Sequence, residues 1–281
     1  MWITLLGGVL NRVVYLYELM IKDNFNRIHD YLRISLTDNC NLRCFYCMPE
    51  QDYHFTPSSK LMQADEIEKI AKIFVREGVN KIRLTGGEPL VRKDFSEIIQ
   101  RLSKLGIHLT MTTNATRLHE FVDVIKESGI QSLNISLDTL QRDRFILMTK
   151  RDQHEQVMRN IQLMLDKGIG VKLNVVAMKG INDEEINDFV RWTKDKSLHI
   201  RFIEFMPFQG NHWDNARVVT WQQMIDVVEA AFDGEIEALE RVPHETVKQY
   251  RLKGAQGTFA VISTMSAPFC GDCNRLRLTA D

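Results

Sequence analysis

Scattered cysteines are missing from this 281-residue chain. Its five cysteines fall in two tight groups, within 40–47 and 270–273. That distribution excludes the disulfide framework of a small secreted domain and points to metal binding in a reducing compartment. Excess charge is missing too: 36 Lys and Arg stand against 37 Asp and Glu, leaving −1. No global field draws the chain to nucleic acid or to a membrane surface, so an anionic ligand must be held by a local cluster. No apolar run is long enough to cross a bilayer; residues 1–10 are apolar, but Asn11 and Arg12 break the run. That stretch has no basic flank and no small-residue cleavage site, so residues 1–22 are expected to be an N-terminal extension. Low-complexity tracts, long charge runs and a Rossmann glycine loop are absent as well.

What is present begins with Cys40, Cys44 and Cys47, spaced C-x3-C-x2-C. Three thiolates cover three irons of a four-iron cluster and leave the fourth open to a ligand, whereas electron-carrying clusters usually have four cysteines. Zinc prefers four ligands, usually in two close pairs, and fits this spacing poorly.

From residue 31 the chain alternates β-rich runs with amphipathic helical ones. Strands are expected at 31–36, 81–85, 108–113, 132–137, 171–177 and 199–205, and helices at 64–77, 94–105, 118–128, 153–167 and 183–194. In 64–77, for example, Ile67, Ile70, Ala71, Phe74 and Val75 share one face. Repeated strand–helix–strand units with short loops imply parallel strands. The expected fold is α/β: an incomplete (β/α)6 TIM-type barrel over 23–209, with a C-terminal α+β appendage over 210–281. Barrel chemistry sits at the C-terminal strand ends, and the motifs cluster there: the cysteines, Thr85-Gly-Gly-Glu-Pro89, Thr113-Asn114, Ser136-Leu-Asp138 and Glu204-Phe-Met206. After residue 207, a helix at 219–232 and a hairpin of 246–252 with 258–263 are expected to close over the open barrel.

Cys270 and Cys273 alone fit a half-formed metal site or a redox pair. Arg275 and Arg277 follow at i and i+2 of an extended segment and project to one side, where guanidinium forks grip phosphate or carboxylate. Alternation with Val171 and Leu173 puts Lys172 beside Asn174 on an inward face. Lys81, at the start of its strand, is expected to face solvent.

The cysteine run, with Tyr46 just before the third cysteine, resembles the cluster motif of radical S-adenosylmethionine (SAM) enzymes. Within them, the chain resembles the GTP 3′,8-cyclase family of molybdenum-cofactor biosynthesis. The resemblance rests on Tyr31-Leu-Arg-Ile-Ser-Leu-Thr-Asp38, the cysteine motif with Met48-Pro49, Lys81-Ile-Arg-Leu-Thr-Gly-Gly-Glu-Pro-Leu90, Thr112-Thr-Asn114, Asn134-Ile-Ser-Leu-Asp138, Lys172-Leu-Asn174, Arg201-Phe-Ile-Glu-Phe-Met-Pro207 and Cys270-x-x-Cys-Asn-Arg-Leu-Arg277. It covers the chain from about Asp23 to Asp281.

This resemblance implies a [4Fe–4S] cluster on Cys40, Cys44 and Cys47 that holds SAM. It implies conversion of GTP to 3′,8-cyclo-7,8-dihydro-GTP by radical chemistry, in a protein that serves a downstream molybdenum-cofactor enzyme and takes electrons from a donor. SAM would be held by Tyr46, Gly86, Gly87, Glu88, Ser136, Asn174 and Met206. GTP would be held by Arg33, Arg83, Thr113, Lys172, Arg201, Arg275 and Arg277, with its guanine near a second [4Fe–4S] cluster on Cys270 and Cys273. The family's third ligand to that cluster lies beyond the residues of this sequence, so a truncated C-terminal region and impaired activity are one expectation. Ala115 stands where the family usually has Gly, and Asn39 where it usually has Arg. A cytoplasmic monomer or homodimer is expected, bound to neither membrane nor nucleic acid. The remaining alternatives are a radical SAM enzyme with another substrate and a non-enzymatic iron–sulfur protein that binds a nucleotide.

Overall fold

The computed structural model describes residues 20–48, 53–207, 211, 213–240, 248–267, 271 and 273–281. Six parallel strands form its centre: β1 (Tyr31–Ser35), β2 (Lys81–Thr85), β3 (His108–Thr113), β4 (Ser132–Ser136), β5 (Gly170–Ala177) and β6 (Leu198–Glu204). Between them run α1 (Ala64–Arg76), α2 (Phe95–Ser103), α3 (Val122–Glu127), α4 (Arg142–Thr149), α5 (His154–Asp166) and α6 (Ile186–Trp192). Strands β2 and β3 begin and end where the sequence places them, because alternating side chains there separate two different environments. Leu32, Ile34, Ile82, Leu84, Leu133 and Ile135 are buried in one core with Ile67, Ala71, Ile98, Ile99 and Leu102 of the helices. The intervening residues Arg33, Arg83, Lys172, Asn174, His199 and Arg201 occupy the opposite face. This division makes the interior of the sheet polar and its exterior apolar.

Helix α4 was not legible in the sequence. Phe145, Ile146, Leu147 and Met148 form a continuous apolar run rather than a stripe, and Leu147 is exposed. Its end is fixed by Lys150, which takes a left-handed conformation at φ 58°.

The residues after 207 correct one expectation. Helix α7 (Trp221–Ala231) and the antiparallel strands β7 (Ile236–Ala238), β8 (Lys248–Leu252) and β9 (Thr258–Ile262) form the expected α+β appendage, but among the described residues its strands extend the sheet instead of closing over it. β9 pairs parallel with β6, and β10 (Arg275–Leu278) pairs parallel with β1. One ten-stranded sheet results, in the order β10-β1-β2-β3-β4-β5-β6-β9-β8-β7. Its physical reason is edge pairing: both outer strands of the six would otherwise present open backbone donors and acceptors. The expected extension at 1–22 lies almost wholly outside the described residues.

Candidate active site

The cysteine loop leaves β1 and is pinned from three sides. Gly87 N–H donates to Thr37 O (2.7 Å), and Glu88 N–H donates to Asn39 O (2.8 Å). A Cβ on Gly86 would stand 2.4 Å from Thr37 O, and one on Gly87 would stand 2.4 Å from both Asp38 O and Asn39 O. The two glycines are therefore required by the approach of this backbone. From α4, Met148 O and Thr149 O accept from Phe45 N–H (3.0 Å) and Arg43 N–H (2.8 Å). Carbonyls of a helix's last turn have no partner within the helix, and here the loop supplies the donors. Below the loop, Phe45 and Tyr46 pack on the buried Met148, Met178 and Phe205.

Cys40, Cys44 and Cys47 line one cavity of about 310 Å³. It is completed by Gly86, Gly87, Thr113, Asn114, Ser136 and Asp138, at C-terminal strand ends or in the turns that follow, and by Asn174 within β5. Burial pushes all three thiols up, Cys44 most, and the charges of Asp138 or of a neighbouring cysteine add to this. Thiolates crowded in this way need a cation beside them. Among the described residues no His, Cys, Asp and Glu side chains converge closely enough to hold a single metal ion. Three thiols spread around a roomy cavity instead fit a larger iron–sulfur cluster with space for a ligand.

Two expected SAM residues sit differently from the others. Glu88 does not line the cavity. Buried behind it, its carboxylate accepts from Thr113 Oγ1 (2.7 Å), Asn114 N–H (2.6 Å) and Leu90 N–H (3.1 Å). Burial outweighs these bonds and raises its carboxyl to about 7. Glu88 thus holds Thr113 and Asn114 in position. Met206 is exposed and lies outside the cavity, with its carbonyl accepting from Asn211 Nδ2 (3.0 Å). Tyr46 lines the cavity, and its hydroxyl donates to Asp138. Burial raises the Asp138 carboxyl to about 6.

Of the expected GTP residues, the six cations share the polar face, whereas Thr113 is level with Ile135 and bonded to the buried Glu88. Arg33 and Arg277 line a second cavity of about 510 Å³, and Thr85 lines both cavities. β10 places Arg275 level with Tyr31, and Arg277 level with Arg33. Arg83 lies against Tyr31. Lys172 shares the face of Asn174 and Val176, and its charge is felt by Lys81, His108 and His199. Lys81 is a correction: its ammonium lies 4.9 Å from the centre of the Tyr31 ring, so it faces inward. Burial, followed by Arg83, Lys172 and Arg201, lowers its pKa. These charges belong to strands that are not neighbours in the sheet, which shows that the sheet curves into an open barrel. His199 is also on this face and was not singled out from the sequence; burial, Arg201 and Lys172 lower its pKa to about 3.

Cys273 accepts from Arg275 Nε (3.3 Å). Burial would raise its thiol, but the Arg275 bonds and charge win and lower it. Cys270 lies outside the described residues. The side chain of Asn39 is exposed while its backbone holds the loop, so the Arg-to-Asn departure leaves the loop intact.

Residues 34–193 match the family model of the radical SAM superfamily, and residues 198–281 match that of molybdenum cofactor synthesis C. The chain is 48% identical over 265 residues to the mitochondrial GTP 3',8-cyclase of Arabidopsis thaliana, covering 93% of this chain and 68% of that one. It is 43% identical over 272 residues to the GTP 3',8-cyclase of Listeria monocytogenes, covering 93% and 80%. It is 42% identical over 271 residues to human molybdenum cofactor biosynthesis protein 1, spanning 94% of this chain but only 42% of that relative. In fold it is similar to SuiB of Streptococcus suis bound to S-adenosylmethionine, with a TM-score of 0.67 at 17% identity, over 98% of this chain and 63% of that one.

Proposed function

The chain belongs to the radical SAM superfamily, within the group of GTP 3′,8-cyclases, and on that premise we propose that it converts GTP to 3′,8-cyclo-7,8-dihydro-GTP, an early step of molybdenum-cofactor biosynthesis. One observation carries this reading: three ligand-ready thiols and a set of inward-facing cations occupy one open barrel, in adjoining cavities that share Thr85.

Cys40, Cys44 and Cys47 would hold a [4Fe–4S] cluster. With SAM bound, that cluster supplies the one-electron chemistry that removes hydrogen from the GTP ribose. The chain's own residues orient and shield. Ser136 and Asn174, level with each other on β4 and β5, offer a hydroxyl and an amide to the polar end of SAM. Tyr46 contributes an aromatic wall and Gly86 and Gly87 a close backbone, while Glu88 stands behind Thr113. Arg33, Arg83, Lys172, Arg201, Arg275 and Arg277 surround the triphosphate; several cations are needed to take about four negative charges out of water. A second cluster would use Cys273 and Cys270 with a ligand from outside this sequence. An electron donor and an enzyme that consumes the product complete the set of partners.

The test is anaerobic reconstitution with iron and sulfide, followed by SAM cleavage with and without GTP. Release of 5′-deoxyadenosine that rises with GTP, together with the cyclic product, is the expected result. A cluster-loaded chain that binds GTP and never cleaves SAM would end the enzymatic reading.

A further inference from the structure

At one end of the barrel Arg33 Nε and Arg83 Nε are buried donors without a partner among the described residues, and the Tyr31 hydroxyl, beside the Arg33 guanidinium, has no acceptor there. Tyr31 is 8% exposed. It opens β1 on the same face as Arg33, because Leu32 and Ile34 face the helices. Three cations surround its ring. Lys81 Nζ lies 4.9 Å from the ring centre, and the guanidinium carbons of Arg83 and Arg33 lie 5.5 and 5.6 Å away. Arg275 adds a fourth cation, level with Tyr31 on β10.

Cations held this close repel one another, and the negative face of an aromatic ring offsets only part of that repulsion. Burial, Arg275 and Arg277 lower the pKa of Arg33, while burial, Arg33 and Arg275 lower that of Arg83 to about 10. Donors buried without an acceptor add a further cost. What this cluster lacks is an anion. A carboxylate could accept from three donors but brings one charge against four cations; a phosphoryl chain brings several charges, in a form that guanidinium forks match.

We propose that Tyr31 is a substrate-positioning and specificity-determining residue of this clamp. Its ring holds Arg33, Arg83 and Lys81 splayed, and its hydroxyl donates to a phosphate oxygen bound between the two guanidiniums. The inference rests on the GTP reading of the same barrel and adds to it a residue that carries no charge and belongs to no motif for anion binding.

The experiment is anaerobic calorimetric titration of the full chain with GTP, tripolyphosphate and, as a reference for the folded barrel, SAM. Tyr31→Phe keeps the ring and removes the hydroxyl; Tyr31→Leu removes both. A hydrogen bond to a charged group corresponds to about ten-fold or more in affinity. Tyr31→Phe is therefore expected to weaken GTP and tripolyphosphate by at least about that factor while SAM binding is unchanged, and Tyr31→Leu to weaken both anions further. Wild-type anion affinity in Tyr31→Phe, or equal loss of SAM and anions, overturns the proposal. If the wild type binds tripolyphosphate but not GTP, the nucleotide reading fails, and Tyr31 is still judged on tripolyphosphate. Binding of neither anion overturns both.

Discussion

Tyr46 and Asp138, 92 residues apart, meet through a phenol-to-carboxylate hydrogen bond beside the three cysteines. The other carboxylate oxygen of Asp138 accepts from Val176 N–H (2.9 Å), so a loop leaving β1 is tied to the ends of β4 and β5 at once. This bond sets the wall of the cavity before any ligand arrives.

Replacing Tyr46 with Phe leaves Asp138 buried with one donor fewer. A lost hydrogen bond to a charged group costs about 1.5–3 kcal/mol, so the urea midpoint of the metal-free chain should fall accordingly. An unchanged midpoint would mean that the phenol is idle in the folded chain.

Glu204 ends β6 and is fully buried. It accepts from Trp221 N–H (2.7 Å), Met265 N–H (2.6 Å), Ser266 N–H (2.9 Å) and the Ser266 hydroxyl, which ties the C-terminal strands and α7 to the barrel. Burial alone would raise its carboxyl, but these bonds win and lower it. Glu204→Ala strands several donors at about 1–3 kcal/mol each. Hydrogen exchange should accelerate first in 213–240 and 258–267, with α1 and α2 protected for longer. Uniform acceleration across the chain would contradict the anchoring role.

His199 should make the fold sensitive to acid. Unfolded, its ring takes a proton near 6.5; folded, it stays neutral down to about 3. Between those values the folded chain binds fewer protons, so stability falls as pH drops from about 6.5. His199→Gln removes this titration. Wild type should lose up to about 1.4 kcal/mol more than the variant for each pH unit below 6.5. Parallel stability curves for the two proteins would show that the ring is not held neutral.

Ala115, fully buried at φ 64°, occupies a backbone region that suits glycine. The left-handed conformation costs an L-residue roughly 1–2 kcal/mol. Glycine relieves that, but loses about 0.5–1 kcal/mol in chain entropy and about 0.8 kcal/mol of buried methyl. Ala115→Gly should therefore stay within about 1 kcal/mol of wild type in urea unfolding, while the β-branched Ala115→Val should be worse than either. A large loss in the glycine variant would mean that methyl packing, not backbone, decides this position.

Much of the barrel was legible because alternation carries physical content. The period that buries Ile82 and Leu84 outward also turns Arg83 inward, and the same logic placed Lys172 correctly. It failed for Lys81, where the first residue of a strand was taken as solvent-facing although its face is set by Arg83 two residues on. Helix α4 was missed because an apolar run without a period gives no stripe to read. Glu88 and Met206 sit in strand-end motifs, and only the packed structure shows that neither lines the cavity of the three cysteines. Tyr31 and Asp138 stand in motifs visible in the sequence, but their partners do not show there; each acquires neighbours from strands far away in sequence.

The pairing of β10 with β1 has a consequence for synthesis. β1 leaves the ribosome more than 200 residues before 275–278, the residues that cover its outer edge. Asn274 donates to Asp30 across 244 residues (2.6 Å) and joins the same seam. Until residues 275–278 emerge, the nascent barrel therefore carries an open backbone edge, the surface on which strands of different chains pair wrongly. Chaperone demand and aggregation of stalled chains should track this late seal, even while the rest of the sheet is already assembled.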